Sequence, residues 1–314
     1  MKNVINIAMI CDNGYVMPTS VAIQSMISNR ADSDHLIIHI IGDKLTDDNK
    51  SKLASQACKD VDLKFIETDS SRYSGLEKSY SKVSKASLIK FSIPELIPDV
   101  DKAIYIDGDV IVLKSLEPLY SIEIGDKYAV VVSDGPKKNV PGGKRHAYYG
   151  DPEYFNSGMM VLNLRKMRSE NLSQKLIDFR LNEYNYFMDQ DAFNRIFGEN
   201  VIHVGVEYDF MLHLISYRNP GYSIRQLVEF YNISNYNSID KLFRNVVILH
   251  YTFEKPWKYF DIPFNEIWME HFYNSPFKET ELNRSSFTTT QIFDTKTYTF
   301  SRILSKIVRK ILFI

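Results

Sequence analysis

The sequence predicts an α/β protein built on a largely parallel sheet, and two observations carry that prediction. Short apolar runs recur along the first half of the chain, each the length of a buried strand. Stretches with helical spacing separate them, which gives a β-α-β-α opening. In such sheets ligands collect beyond the carboxyl ends of the strands, so the residues that close each apolar run matter most.

Taken in order, residues 4–11 form a buried strand, interrupted only by Asn6 and closed by Asp12. Residues 19–28 place Val21, Ile23, Met26 and Ile27 near helical spacing. Residues 36–41 are a second strand, 46–57 a polar helix and 63–66 a third strand. Residues 103–106, 110–113, 128–132 and 159–163 are strand-like, and so is the run 246–249 before His250. Asn156-Ser157-Gly158 precedes the apolar strand 159–163, where the alternative to a site role is a plain turn. Asp189-Gln190-Asp191 opens a helix with Phe193 and Ile196 on its apolar side, and carboxylates suit that end of a helix dipole. Residues 134–153 hold Gly135, Gly142, Gly143 and Gly150 with Lys137, Lys138, Lys144 and Arg145, a composition that predicts a mobile lid.

A chain of 314 residues suits one large domain or two unequal ones. Lys plus Arg number 38 and Asp plus Glu 39, for a net charge of -1. That balance argues against a surface devoted to nucleic acid, and no nucleic-acid partner is expected. The two cysteines, Cys11 and Cys58, imply no disulfide framework and suit a reducing compartment. The opening MKNVINIAMI lacks a small-residue cleavage site and reads as a strand rather than a signal peptide. Nowhere do about 18 apolar residues run together, so no spanning helix is expected.

The segment AIYIDGDVIVL is the most informative. An apolar strand ends in Asp107-Gly108-Asp109, and a second apolar run follows. In extended geometry residues i and i+2 project to one side, so the carboxylates are expected to converge at the strand end, with Gly108 letting the backbone turn or admitting a ligand. Such a pair repels itself unless a cation or proton intervenes, and a hard divalent ion carrying a diphosphate fits. Two chemistries use this pattern. One is sugar-nucleotide transfer. The other is phosphohydrolysis of the haloacid dehalogenase type, with Asp107 as nucleophile and Asp109 as acid/base. The late position of the pair and Ile111 two residues after Asp109 weaken the second.

Five segments then line up: the strand ending at Asp12 with Tyr15 behind it, SKASLIKFSIPELIPDVDKAIYIDGD, YFNSGMMVLNL, MDQDAFN and LHYTFEKPW. In this order and spacing, over residues 1–260, the chain resembles glycosyltransferase family 8, the family of bacterial lipopolysaccharide galactosyl- and glucosyltransferases and of glycogenin. The resemblance implies a GT-A fold, a Rossmann-like, mostly parallel sheet flanked by helices. It implies a retaining transfer of galactose or glucose from a UDP-sugar, dependent on Mn2+ or Mg2+, to a glycan or glycolipid acceptor. By that resemblance Asp107, Asp109 and His250 hold the metal and Lys255 meets the diphosphate. Asp12 and Tyr15 bind the nucleotide, and Lys90 and Gly108 face the donor. Asn156 and Ser157 contact the sugar or acceptor, Asp189 binds sugar hydroxyls, and Gln190 sits near the anomeric carbon. A non-catalytic, membrane-associated member of the fold is the remaining alternative. The pattern departs twice from the family: Gly14 stands where Asn is usual, with Asn13 one residue early, and HYTFEKPW lacks the Gly that usually follows His-Tyr-x.

The catalytic domain is expected over 1–262, with 263–314 as an extension ending in a helix. Its last residues, TFSRILSKIVRKILFI, place Ile303, Leu304, Ile307, Val308, Ile311 and Leu312 on one face and Arg302, Lys306, Arg309 and Lys310 on the other. That basic amphipathic pattern predicts binding to an anionic membrane, at the cytoplasmic face, with each cation contributing about 1 kcal/mol. Deleting residues 299–314 should therefore abolish co-sedimentation with anionic liposomes. Equal pelleting of the full-length and shortened proteins would refute it.

Overall fold

The computed structural model describes residues 2–73, 85–135, 154–183, 187, 189–215, 224–231 and 239–286. In chain order the elements are β1 (Asn3–Asp12), α1 (Val16–Asn29), β2 (Asp34–Asp43), α2 (Asp47–Ala54), β3 (Val61–Thr68), α3 (Ile93–Leu96), β4 (Lys102–Ile106), β5 (Val110–Val112), α4 (Glu117–Tyr120) and β6 (Ala129–Ser133). There follow β7 (Phe155–Asn163), α5 (Leu164–Ser169), α6 (Leu172–Asn182), α7 (Asp189–Phe197), β8 (Val201–His203), β9 (Phe210–Met211), α8 (Ile224–Phe230), α9 (Ile239–Phe243), β10 (Ile248–His250) and α10 (Asn265–Tyr273). Most of the expected lid, from residue 136, and the whole basic tail lie outside the described residues.

The chain divides into two units. The first comprises residues 1–16, 31–108 and 116–204. It carries a sheet in the order β3-β2-β1-β4-β7-β6-β8, parallel except for β7. Ile5, Ile7, Ala8 and Met9 are all fully buried. Neighbouring residues of β1 face opposite sides, so both faces are covered, as a parallel sheet requires. On one face Phe91, Phe193 and Phe197 pack with Ala8, Tyr105 and Phe155. The Phe91 and Phe193 rings meet edge-on at 5.4 Å. Such a cluster fixes α7 and the 3-10 helix Lys85–Ser92 against the sheet, which is what gives Asp189 and Lys90 defined positions.

The strand order reverses between β1 and β4, since β2 and β3 extend the sheet from one side of β1 and β4 from the other. Asp12 and Asp107 thus close the two strands that flank the switch point, where a parallel sheet opens a crevice. Strand β7 runs the opposite way and pairs Met159 with Ile106, so its first residues arrive at the same edge. Asn156-Ser157-Gly158 was expected ahead of a strand starting at Met159, whereas β7 begins at Phe155 and contains all three. An irregularity in the β6–β7 ladder pairs Ser133 with Phe155 and extends the strand backwards.

The second unit comprises residues 17–30, 109–115 and 205–314. Its sheet runs β5-β10-β9, with β10 antiparallel to β5 and parallel to β9. Helix α1 is tied to it through Ser25, whose Oγ accepts the Val112 N–H at 2.9 Å, and Asn29, whose amide donates to the Val112 carbonyl at 3.0 Å. Trp257 packs against Trp268 of α10 at 5.6 Å, so the tryptophan of the Lys-Pro-Trp segment is a packing anchor.

Candidate active site

In the first unit a buried ammonium organises the sheet edge. Lys90 Nζ lies 2.7 Å from Asp189 Oδ2 and 3.1 Å from Asp107 Oδ1, and 4.8 Å above the Tyr105 ring. Burial by itself would lower the lysine pKa, but Asp107 and Asp189 outweigh it and raise the value above the usual range. Tyr105 donates its hydroxyl to Asp107 Oδ1. Ser157 Oγ donates to Asp189 Oδ2 at 2.9 Å. Gln190 Oε1 accepts from the Asn156 amide at 3.2 Å and from the Ser157 N–H at 3.3 Å. Asn156 also donates to Asp134 Oδ1 at 2.9 Å, and its own Oδ1 accepts the Gly158 N–H at 2.8 Å. Lys90, Asp107, Asn156, Ser157, Asp189 and Gln190, read from the sequence as separate site residues, therefore form one hydrogen-bonded network.

Asp12 and Tyr15 form a turn of their own at the end of β1, where the Tyr15 N–H bonds Asp12 Oδ1 at 2.9 Å. A β-carbon at Gly14 would stand 3.3 Å from that oxygen, so a small residue suits the turn. Asn13, the displaced asparagine, serves the fold. Its Oδ1 accepts the Thr46 N–H at 3.0 Å and the Asn49 amide at 2.9 Å, and its amide donates to the Lys44 carbonyl at 2.9 Å.

The second unit builds a matching charge cluster. His250 ends β10 and pairs with Val110, and the Tyr251 N–H bonds the Asp109 carbonyl at 2.9 Å. The imidazole bridges two acids, with Nε2 3.4 Å from Asp109 Oδ1 and Nδ1 3.0 Å from Asp209 Oδ1. Burial would lower its pKa, but Asp209 and Asp109 raise it to about 10. Lys255 Nζ donates to Asp109 Oδ2 and, at 2.6 Å, to the Tyr251 carbonyl. Burial pushes the Asp109 carboxyl up, yet Lys255 and His250 hold it well below the usual carboxylate range.

Asp107 and Asp109 converge as expected, their ligand atoms lying within 4.8 Å of each other and of His250, but through a turn at Gly108 rather than along an extended strand. β4 ends at Ile106, β5 begins at Val110, and Gly108–Asp109 form a turn between them. Each carboxylate accordingly has its own cationic partners. Among the described residues, Asp107, Asp109 and His250 form the group that could hold a metal ion. Two carboxylates and an imidazole whose second nitrogen is oriented by Asp209 suit a divalent cation. The lysine on Asp109 marks where positive charge is required.

The sequence reading missed Asp134, Tyr105, Tyr154, Asp191 and Asp209. Asp134 carried the same signal as Asp12 and Asp107, an acid closing an apolar run, but read as the start of the lid. Tyr154, whose hydroxyl bonds Asp191 Oδ1 at 2.6 Å, offered no such signal. Asp209 abuts an apolar run too, and only the parallel pairing of β9 with β10 sets it beside His250.

The family model for glycosyl transferase family 8 matches residues 6–261. The chain belongs to glycosyltransferase family 8. Among its relatives, this family member is 29% identical to general stress protein A of Bacillus subtilis over 202 residues, covering 62% of this chain and 69% of that protein. It is 26% identical to a lipopolysaccharide 1,2-glucosyltransferase of Escherichia coli, covering 88% and 79%. Its α/β fold matches the galactosyltransferase LgtC, solved with donor and acceptor sugar analogues, at a TM-score of 0.67 and 21% identity over 86% of this chain and 96% of that one. That likeness bears out the expected GT-A fold. The chain spans about half, 51%, of the bifunctional glycosyltransferase WbbM, which it matches at a TM-score of 0.71.

Two outcomes follow from this geometry. Lys90→Met should destabilise the protein by about 3 kcal/mol, because it leaves two carboxylates at the sheet edge without their cation; denaturant unfolding measures it. A divalent ion at the candidate Asp107, Asp109 and His250 group would bind roughly tenfold or more weakly in Asp209→Asn, because the imidazole is loosened, and the free Mn2+ signal in electron paramagnetic resonance measures it. Unchanged Mn2+ affinity would contradict the positioning role.

Proposed function

We propose that this chain is a retaining transferase that moves galactose or glucose from a UDP-sugar to a glycan or glycolipid acceptor, with Mn2+ or Mg2+ as cofactor. The observation that carries the reading is the Asp109–His250–Lys255 cluster on the Asp107-Gly108-Asp109 segment of a family 8 chain. The catalytic part is residues 1–262, a reading supported by the family match over 6–261.

Asp107, Asp109 and His250 would hold the ion, which when bound would supply positive charge for the diphosphate leaving group. Lys255, only partly buried, leaves Asp109 for the phosphates. Asp12 and Tyr15 take the nucleotide at the end of β1, with Gly108 leaving room for the donor. Lys90 keeps Asp189 in place, and Asp189 accepts from sugar hydroxyls. Asn156 and Ser157 border the sugar and fix Gln190 next to the anomeric carbon. An amide oxygen that already accepts two hydrogen bonds is a poor nucleophile, which supports front-face attack, with the leaving diphosphate taking the acceptor's proton. The haloacid dehalogenase alternative finds no support in a family 8 match that spans both aspartates. A lipid-linked acceptor accords with the lipopolysaccharide named for the Escherichia coli relative and with the basic tail, which would hold the enzyme at the cytoplasmic face of a membrane. No helix among the described residues is long and apolar enough to cross one.

Hydrolysis of UDP-galactose and UDP-glucose with Mn2+ tests the reading. Asp107→Asn or Asp109→Asn should reduce it at least about 100-fold, since each removes a charge from the ion's ligands. Full activity of both variants in EDTA would end the proposal. Because His250 stays protonated up to about pH 10 without metal, Mn2+ must displace a proton. Apparent Mn2+ affinity should therefore rise with pH, by up to about tenfold per unit between roughly pH 6 and pH 8. A flat titration would show that Mn2+ displaces no proton from His250 in this range.

A further inference from the structure

The turn between His250 and Lys255 holds a residue whose conformation its own packing does not explain. Phe253 has φ 67°, in the left-handed region that a β-carbon disfavours. It stands at the place where the family pattern carries Gly. Among the described residues, Lys44, Asp60, Asn171 and Phe264 also have positive φ. Asp and Asn tolerate that region, and Lys44 is an exposed loop residue paired with Asp69. Phe264 is 1% exposed, and its carbonyl accepts the Tyr251 hydroxyl at 2.7 Å, so burial and bonding hold it. Phe253 is 59% exposed.

The strain is held from behind. Thr252 Oγ1 accepts the His213 N–H at 3.1 Å and meets that residue's Nδ1 at 3.1 Å, and the Thr252 N–H bonds the His250 carbonyl at 2.9 Å. The His213 ring meets Phe253 edge-on, at 5.8 Å and 83°, a contact that covers at most one face of the phenyl ring. The fold therefore spends backbone strain on displaying an aromatic face to solvent, and strain of this kind gathers where a ligand uses it.

We propose that Phe253 is a platform for the pyranose ring of the acceptor. A phenyl face offers nothing to a phosphate, but it matches the C–H face of a sugar ring. The ring is carried on the turn between His250 and Lys255, the residues assigned above to the metal and the diphosphate, which favours an occupant that reacts with the donor. Its exposure suits a ligand that enters after the donor. The inference rests on the transferase reading, and it adds a specificity-determining residue that the charge cluster does not contain.

The test uses the full chain and its Phe253→Gly and Phe253→Tyr variants. Calorimetry measures UDP with Mn2+, and saturation-transfer NMR measures methyl β-galactopyranoside and methyl β-glucopyranoside in the presence of UDP and Mg2+. Phe253→Gly should raise Tm by about 2 °C, because it relieves the strain. It should weaken glycoside binding about tenfold, the upper end for one aromatic contact, while UDP affinity stays unchanged. Phe253→Tyr should bind the glycoside as the parent does. A lower Tm with unchanged glycoside affinity would make Phe253 a structural residue and overturn the platform. Weaker binding of UDP-glucose or UDP-galactose, but not of UDP, would give the ring to the donor sugar and overturn it too. Failure of the parent protein to bind either glycoside would overturn it as well. Failure of the parent to bind UDP would instead remove the transferase reading, and the platform with it.

Discussion

Acidic side chains crowd the carboxyl edge of the parallel sheet, and the rest of the site depends on how their charge is balanced. Asp107 and Asp189 come from segments far apart in sequence, and the Lys90 ammonium joins them. In a poorly solvated setting the two carboxylates would repel each other, and a single buried cation turns that repulsion into a tie. The consequence is positional. With Lys90 fixed, Ser157 and Gln190 have defined partners, and the antiparallel strand β7 is pinned to helix α7. The aromatic cluster beneath, with Phe91 one residue from Lys90, supplies the rigidity that such a tie needs.

The second unit applies the same rule with different cations. Asp109 is balanced by an imidazole and an ammonium, and the imidazole is itself oriented by the buried Asp209. The two lysines differ in a way that matters. Lys90 keeps 5% of its side chain exposed, Lys255 15%, and Lys255 completes its contacts on a neighbouring carbonyl of its own loop. A deeply buried lysine is a fixed part of the frame. A partly exposed one on a short loop can exchange one anion for another with little rearrangement, which is what the proposed transfer of charge to a diphosphate requires.

Strain and stability are distributed unevenly. Asn13 lies beside a residue expected to bind nucleotide, yet its side chain fixes the start of α2, so that position serves the fold. Phe253 shows the reverse, an apolar side chain that leaves the core in a conformation better suited to glycine. An exposed aromatic is ordinary by itself, but a bulky residue held in the left-handed region carries strain, and the coincidence of the two at one position is what the platform proposal rests on.

The amino-acid pattern by itself determined the sheet and marked the acids that close its strands. Continuous Val and Ile runs can only be buried on both faces, which made β1 and β2 legible, and an acid closing such a run marked Asp12 and Asp107. Local sequence could not decide what each acid touches. Nothing near Lys90 distinguishes it from a solvated helical lysine until the fold brings Asp107 and Asp189 to it. Asp209 meets His250 only because β9 lies parallel to β10, and Asn156 to Gly158 join a strand only because β6 offers a partner across an irregular ladder. The convergence of Asp107 and Asp109 was legible, but the turn at Gly108 that produces it was not fixed by the chain alone: whether a strand continues or turns is settled by the neighbours that accept its hydrogen bonds. Charge pairing and strand pairing are both contacts between residues distant in sequence, so the types of residue at the site were readable from the chain, and their partnerships were decided by the tertiary structure.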